Sequence, residues 1–499
     1  MKLKHTLFIA FLGSGLPVLT SCDDDFLNVD PKGTIIESNY YQNPEEAYTG
    51  LVAAYDPLGW QASSTYHNVG AINAASDDAH AGGGGPSDMN TWQVWNRFTL
   101  NPSIGPQEEY WNRNFRGVSR TNTILSKIEG GVPGLAQPTA DRYMAEAKAL
   151  RAYYYFELVR LFRNVPLFTA PLETSELFNQ VQVEPEVVYA QIERDLTEAI
   201  PNLPVTVPVS TEGGRFTQGA AKALLGKVYL YQRKWSDAAT QLADVNGTPG
   251  GTSMYGYRLL DNFAAIFDPA NKFHNEAIFE IVHTNLTRTG WEGWPNFEGN
   301  LAIQMLGPRA YSGPTYVSGW GFNPLTTELV NALKGDPRYP FTVLDIKSIP
   351  GAKYEASFDD TGYFAEKFAP RTSWVTTIGG EPALNYANNY IEMRLADTYL
   401  MEAEALVQSG GNTTRAGELL NAVRDRVGLG PVAPTLDNIY RERRLELATE
   451  GHRFHDLVRT GRASAVLGPM GFVAGKHEVL PIPQAELNNT KLEQNPEYR

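Results

Sequence analysis

A mainly α-helical scaffold of helix pairs, carrying a large loop-rich half, is the fold class that this sequence predicts. Three observations predict it. Amphipathic stretches with apolar residues at helical spacing occur in pairs. Three of them share one local pattern, a small residue followed three positions later by an aromatic one. Between them lie long stretches rich in Gly, Pro, Asn and aromatic residues, in a chain of 499 residues with 45 Gly and 32 Pro.

The helices follow in order. Residues 141–163 (DRYMAEAKALRAYYYFELVRLFR) place apolar side chains at helical spacing, with Asp141 as a cap and Pro166 beyond the end. Residues 185–200 start with Pro185 near the first helical position and stop before Pro201. Residues 216–245 hold two helices with a break near residues 233–236. Residues 388–408 and 414–427 form a pair across Ser409-Gly410-Gly411-Asn412, and residues 436–460 are helical with a break at Gly451. Ala152 precedes Tyr155, Gly226 precedes Tyr229, and Ala396 precedes Tyr399. This pattern resembles the tetratricopeptide repeat, in which a small residue lets a second helix approach and a tyrosine fills the remaining gap. The copies are far apart, so the expectation is a repeat scaffold with large insertions. Unrelated amphipathic helices are the competing reading.

Composition narrows the function classes. A hydrophobic fraction of 42% and an aromatic fraction of 11% argue for a packed chain and against disorder. The formal charge of −14 lacks the basic stripe that nucleic acid requires, whereas neutral sugars remain compatible. The single cysteine, Cys22, excludes an intrachain disulfide and a thiolate zinc site.

Lys2 and Lys4 precede an uncharged, mostly apolar run over residues 6–19, too short and too interrupted by Gly and Pro for a membrane span. It leads into Leu19-Thr20-Ser21-Cys22, which resembles a bacterial lipobox. The expectation is a lipoprotein signal peptide over 1–21, a lipidated Cys22, and a stable membrane anchor once two or more acyl chains are attached. An ordinary signal peptide with an incidental cysteine competes with it. Asp23, Asp24 and Asp25 resemble the surface-export signal of lipoproteins from Bacteroidetes-type bacteria, and read equally as a solvated linker. The mature chain then divides into an N-terminal part over 22–245 and a C-terminal part over 246–499, each with repeat-like helices.

Residues 56–115 and 247–387 read as loops and short strands, and all tryptophans except Trp235 lie there. Indole faces stack on the C–H face of a sugar ring, while neighbouring polar side chains bond the hydroxyls. One such stretch runs from Asn73 through Asp77 and Asp78 to Trp92 and Trp95; a second runs from Trp291 and Trp294 towards Trp320. Burial as loop-domain core is the alternative for each ring taken singly. His452 and His455, spaced i, i+3 beside Asp456, lack the i, i+4 spacing of zinc-protease helices. The run Gly82-Gly83-Gly84-Gly85 lacks the Lys-Ser/Thr of a phosphate loop, and no G-x-S-x-G is present. No cofactor or metal is expected. Paired carboxylates for glycoside hydrolysis stay open, since their separation in space decides them.

Six motifs converge on one family. Arg441-Glu442-Arg443-Arg444-Leu445-Glu446-Leu447 and Glu450-Gly451-His452-Arg453-Phe454-His455-Asp456-Leu457 resemble the signature of SusD/RagB-type nutrient-binding lipoproteins. Leu480-Pro481-Ile482-Pro483 with the ending Gln494-Asn495-Pro496 is similar too, as are the segments at 147–156, 215–225 and 394–405. His455 departs from the family, which often has tryptophan there. The resemblance implies tetratricopeptide-like helix pairs supporting a loop-rich half, and a position on the outer face of the outer membrane. It implies an oligosaccharide ligand, a SusC-like TonB-dependent transporter as partner, and no catalysis. It places Asp77, Asp78, Trp92, Trp95, Trp291, Trp294 and Trp320 where ligand loops lie, with Arg371 as a further hydroxyl contact. An exported helical glycoside hydrolase and a ligand-free interaction scaffold are the other functional readings.

Overall fold

The computed structural model describes residues 40–60 and 67–499. The expected signal peptide, Cys22 and the three following aspartates lie outside the described residues. Among the described residues nine longer helices set the frame: α1 Pro44–Gly59, α2 Gln107–Glu129, α3 Gln137–Phe162, α4 Pro185–Ala199, α5 Gln218–Tyr231, α6 Trp235–Asn246, α7 Leu395–Gln408, α8 Thr413–Asp425 and α9 Leu436–Glu446. Each packs on the next from α1 to α8, and α9 packs on α7. Short antiparallel pairs complete the frame: β1 Val165–Pro166 with β2 Gln182–Val183, β3 Ala277–Ile281 with β6 Tyr390–Arg394, and β4 Val343–Asp345 with β5 Tyr363–Ala365.

The small residues of the repeat pattern act as steric doors. A Cβ on Gly226 would lie 2.6 Å from Leu242 Cγ, so only glycine lets α6 seat against α5 at this distance. Of the aromatic members, Tyr155 and Tyr399 are fully buried and Tyr229 is partly buried. Tyr155 donates its hydroxyl proton to the Phe168 carbonyl at 2.8 Å, so burial leaves its polar end satisfied.

Four helix expectations change. Helix α3 begins at Gln137, one turn earlier than Asp141, because Pro138 sits in its first turn and fixes a helical φ there. Asp141 accepts from the Gln137 side chain at 2.8 Å and caps nothing. Residues 390–394 are strand, drawn into register with β3 (Ala277 opposite Arg394, Ile281 opposite Tyr390), and α7 starts at Leu395. Helices α1 and α2 occupy segments in which no helix is expected from the sequence. In α2 the inward face carries Arg113, Asn114, Thr121 and Asn122, all buried, so an apolar stripe is hidden from a periodicity search. These polar groups are paired: Arg113 lies 3.7 Å from Glu157, and the Asn122 oxygen accepts from Arg151 at 2.8 Å.

The C-terminal signature folds into a buried ion network. Arg394 donates to Glu276 at 2.9 Å, to Glu446 at 2.6 Å and to both oxygens of Glu450 at 2.8 Å. Arg338 reaches Glu442 at 2.6 Å and Glu446 at 3.0 Å, Arg426 pairs with Glu446, and Lys367 reaches Glu450 at 2.7 Å. Burial opposes ionisation of Glu446, yet Arg426, Arg394 and Arg338 hold its carboxyl well below the usual carboxylate range. Such a network survives desolvation because each charge has several partners, and removing one member strands the others. The last motifs close on each other. Gln494 accepts from Ile482 N and donates to Ile482 O, both at 2.9 Å, and the Asn495 side-chain amide donates to the Leu480 carbonyl at 2.9 Å.

Candidate functional site

The two exposed indoles of the molecule's loop-rich half sit on one pinned loop. The loop leaves at Thr284 and returns at Glu298, where Thr284 N donates to the Glu298 carbonyl at 2.9 Å. Buried Asn385 holds its rising arm, accepting from Thr289 N at 3.1 Å and donating to Thr289 O at 2.7 Å. A short 3-10 turn over Trp291–Gly293 then points two rings outward. Trp291 is 49% exposed and Trp294 45%. Trp294 lies 5.2 Å from buried Phe297, which roots the loop in the core.

Trp320 completes the platform from a second segment. Its ring is partly buried, 6.3 Å from Trp291 and within 19° of parallel to it; Trp294 lies 6.4 Å from Trp291, tilted by 37°. The chain around Trp320 is held by Trp320 N donating to the Gln304 carbonyl at 3.0 Å and Gly83 N donating to the Gly321 carbonyl at 2.8 Å. The glycine run at 82–85 finds its role here. Gly82 has φ +75, and a Cβ on it would lie 2.5 Å from the Gly321 carbonyl oxygen.

Arg371 belongs to the same tier, since Tyr316 bridges Arg371 and Val317 N donates to the Pro370 carbonyl at 2.8 Å. Its guanidinium lies 5.5 Å over the Tyr316 ring and 5.4 Å over the Trp374 ring and pairs with Glu366. Burial pushes the Glu366 carboxyl up, against Arg371 and the Tyr316 hydroxyl. Stacked on two rings yet about a third exposed, Arg371 is oriented with N–H groups available at the surface. Trp291, Trp294, Trp320 and Arg371 are thus presented by loops tied into one framework.

The other four candidates are corrected to structural roles. Trp92 is fully buried, edge-on to Phe322 at 5.4 Å, and Trp95 is 1% exposed between Tyr110 and Phe454. Both stand on the short helix Asn90–Asn96, whose inward face carries them into the core, so neither offers a ring face to a ligand. Asp77 accepts from Arg453 at 2.7 and 2.9 Å, and Asp78 accepts from Arg444 at 2.8 Å. The two aspartates clamp the N-terminal loops onto the C-terminal signature. Although burial opposes it, Arg453 and Arg444 hold the Asp77 carboxyl below its ordinary value, while burial pushes Asp78 up. His455 is buried, and Asp456 is engaged by Arg443 at 3.1 Å and Arg459 at 2.7 Å. Among the described residues no cluster of three or more metal-ligating side chains is assembled.

Trp60, not selected from the sequence, follows α1 and is partly exposed, its indole N–H donating to Asp56 at 2.9 Å. Its signal in the sequence is its place in the tryptophan-bearing stretch over residues 56–115.

Comparison with known proteins agrees with the architecture. Residues 346–479 match the SusD family, and residues 45–230 match a family described as starch-binding and associating with the outer membrane. Among the described residues no helix is long and apolar enough to cross a membrane. A structure titled laminarin binding SusD-like protein superposes with a TM-score of 0.88 at 51% identity, covering 92% of this chain and all of that one. Surface glycan-binding protein A from Bacteroides thetaiotaomicron, in complex with laminarihexaose, superposes at 0.82 with 27% identity, covering 91% of this chain and 99% of that one. SusD-like protein P38 from Formosa agariphila is 28% identical over the full length of both chains. With the helix-pair frame, the closed C-terminal motifs and a relative sharing half its residues, this chain belongs to the SusD family.

Proposed function

We propose that this chain is a surface glycan-binding lipoprotein that captures oligosaccharide on the Trp291, Trp294 and Trp320 platform and passes it to a SusC-like TonB-dependent outer-membrane transporter without reacting with it. One observation carries this reading: two adjacent indoles, each about half exposed, are held outward by a loop pinned on both sides. Leaving apolar rings in water costs free energy that a folded chain normally recovers by burial, so a fixed exposed pair favours a partner with a matching apolar face. A sugar ring has such a face, and Arg371 supplies donors for its hydroxyls. The names of the similar structures favour a laminarin-type glucan as the ligand class. The relatives are named as binding proteins, which supports capture over catalysis. Anchoring follows from lipidation at Cys22, which fits a family associated with the outer membrane.

Calorimetric titration of laminarihexaose, with maltohexaose and an inulin oligosaccharide as controls, tests the reading. Binding in the micromolar range for one of the glycans, with no reducing sugar released on overnight incubation, is the expected result. No heat with any of them, or steady release of sugar by the pure protein, overturns it.

A further inference from the structure

We propose that the cleft between helix α2 and the chain's C-terminal end is a second glycan-contact region, receiving sugar residues of a chain that continues beyond those stacked on Trp291 and Trp294. The proposal rests on the glycan-binding reading and extends it to a surface that reading does not use.

The cleft encloses about 580 Å³, within the range of about 300–1,000 Å³ typical of small-molecule sites. Its apolar lining includes Trp60, Phe115 and Phe168, and the two phenyl rings lie 5.8 Å apart and 18° from parallel. Trp60 is pre-oriented, since its N–H is bound to Asp56 and the Arg120 guanidinium covers its ring at 5.3 Å. Arg120 is fixed in turn by the Ala53 carbonyl at 2.8 Å. Beside Phe115, α2 also presents Asn112, Arg116 and Ser119 at i, i+4 and i+7, a spacing that aligns them along one face. All three are exposed, and their side chains bond no other described residue.

The mixture of groups selects the ligand chemistry. Ring faces beside unengaged amide, guanidinium and hydroxyl groups match the alternating C–H and hydroxyl surfaces of a neutral sugar. Arg116 and Glu486 line the same cleft, so its charge is balanced and favours neither an anion nor a cation. The side chains of an apolar peptide would desolvate the α2 polar row without bonding it.

Continuity with the platform comes through α1. On the other side of its C-terminal turn, a cleft is lined by Asp56 and Gly59 together with Thr284 and Glu298, the two ends of the tryptophan loop. Asp56, which holds Trp60, therefore stands between the platform loop and the α2 cleft. Burial raises the Glu298 carboxyl and the charge of Asp56 raises it further, in keeping with their closeness.

The test compares chain lengths. Affinities for laminaritriose and for long-chain laminarin are measured by calorimetry on the wild type, Asn112→Ala/Arg116→Ala, and Trp291→Ala/Trp294→Ala. The α2 residues are exposed and unbonded, so their variant keeps its fold, which melting confirms. Asn112→Ala/Arg116→Ala is expected to weaken laminarin roughly 5–20-fold and to leave the triose unchanged. Unchanged laminarin affinity in that variant overturns the proposal, and so does equal weakening of both ligands. If Trp291→Ala/Trp294→Ala changes neither affinity, the platform reading is what falls, and the α2 cleft is then judged on its own variant alone.

Discussion

Gly70 and Trp92 form a lock whose two halves can be broken separately. The Trp92 ring is fully buried, and a Cβ on Gly70 would lie 1.9 Å from its Cη2 atom and 2.5 Å from Cζ3. Gly70 lies in the helical segment His67–Ala71, so alanine suits its backbone and only the ring objects. Trp92→Ala removes a buried indole and should cost about 3–5 kcal/mol. Gly70→Ala forces that indole out of place, an overpacking cost of about 1–3 kcal/mol, here at the upper end. In the double variant the ring that clashed is gone, so the two costs should not add. The coupling should be about 2 kcal/mol in the compensating direction. Urea unfolding followed by circular dichroism gives all four corners of the cycle, and calorimetry on folded Trp92→Ala gives its glycan affinity, expected to match the wild type. Additive destabilisation would refute the packing argument. A Trp92→Ala protein of full stability that no longer binds glycan would return Trp92 to the binding site.

Three further outcomes follow from the same structure. His283 is pushed down to about 3, and His452 and His477 to about 4, in each case first by burial, so the unfolded chain takes up protons near 6.5 before the native one does. Stability should therefore fall as pH drops from 6.5 towards 4, by roughly 1.4 kcal/mol per pH unit for each histidine; a urea midpoint that is flat between pH 7 and 5 contradicts this. Glu446→Gln leaves Arg338, Arg394 and Arg426 without their shared counter-charge and should cost about 3–5 kcal/mol in urea unfolding, whereas a loss under 1 kcal/mol would show that the network relaxes around the change. Cys22→Ala should move the protein out of the membrane fraction and abolish fatty-acid labelling, and retained labelling would place the anchor elsewhere.

Helices with apolar stripes and terminal punctuation were legible from the sequence. Pro185 opens α4 and the residues around 233–236 separate α5 from α6, because these signals act on the backbone locally. Helix α1 carried a readable start in Asn43-Pro44-Glu45-Glu46, and Asn43 does accept from Glu46 N at 3.0 Å; Gly50, Asp56 and Pro57 obscured the rest. Strand β6 was not legible, because Tyr390–Arg394 becomes extended only by pairing with β3, more than a hundred residues away in sequence. The site divides along the same line. A tryptophan in a loop reads alike whether it faces core or solvent. Trp92 and Trp95 went inward because the helix beneath them turned them there, while Trp291 and Trp294 stayed outward because Asn385, a distant residue, pins their loop. Aspartates beside aromatics resembled hydroxyl ligands until Arg444 and Arg453, some 370 positions later in the chain, claimed them.

In the proposed function the exposed indoles of Trp291 and Trp294 grip sugar. With 49% and 45% of their surfaces exposed, each presents on the order of 100 Å² to solvent. Covering about half of that, together with an equal area of the sugar, is worth about 2–3 kcal/mol per ring at roughly 25 cal/mol per Å². Calorimetric titration of laminarihexaose into Trp291→Ala/Trp294→Ala, shown by melting to be folded, is the most direct measurement. A loss of affinity of at least about 30-fold relative to wild type, the roughly 2 kcal/mol that one ring alone contributes at the low end and that the second ring increases, is the predicted result; the same affinity in both proteins would contradict the account.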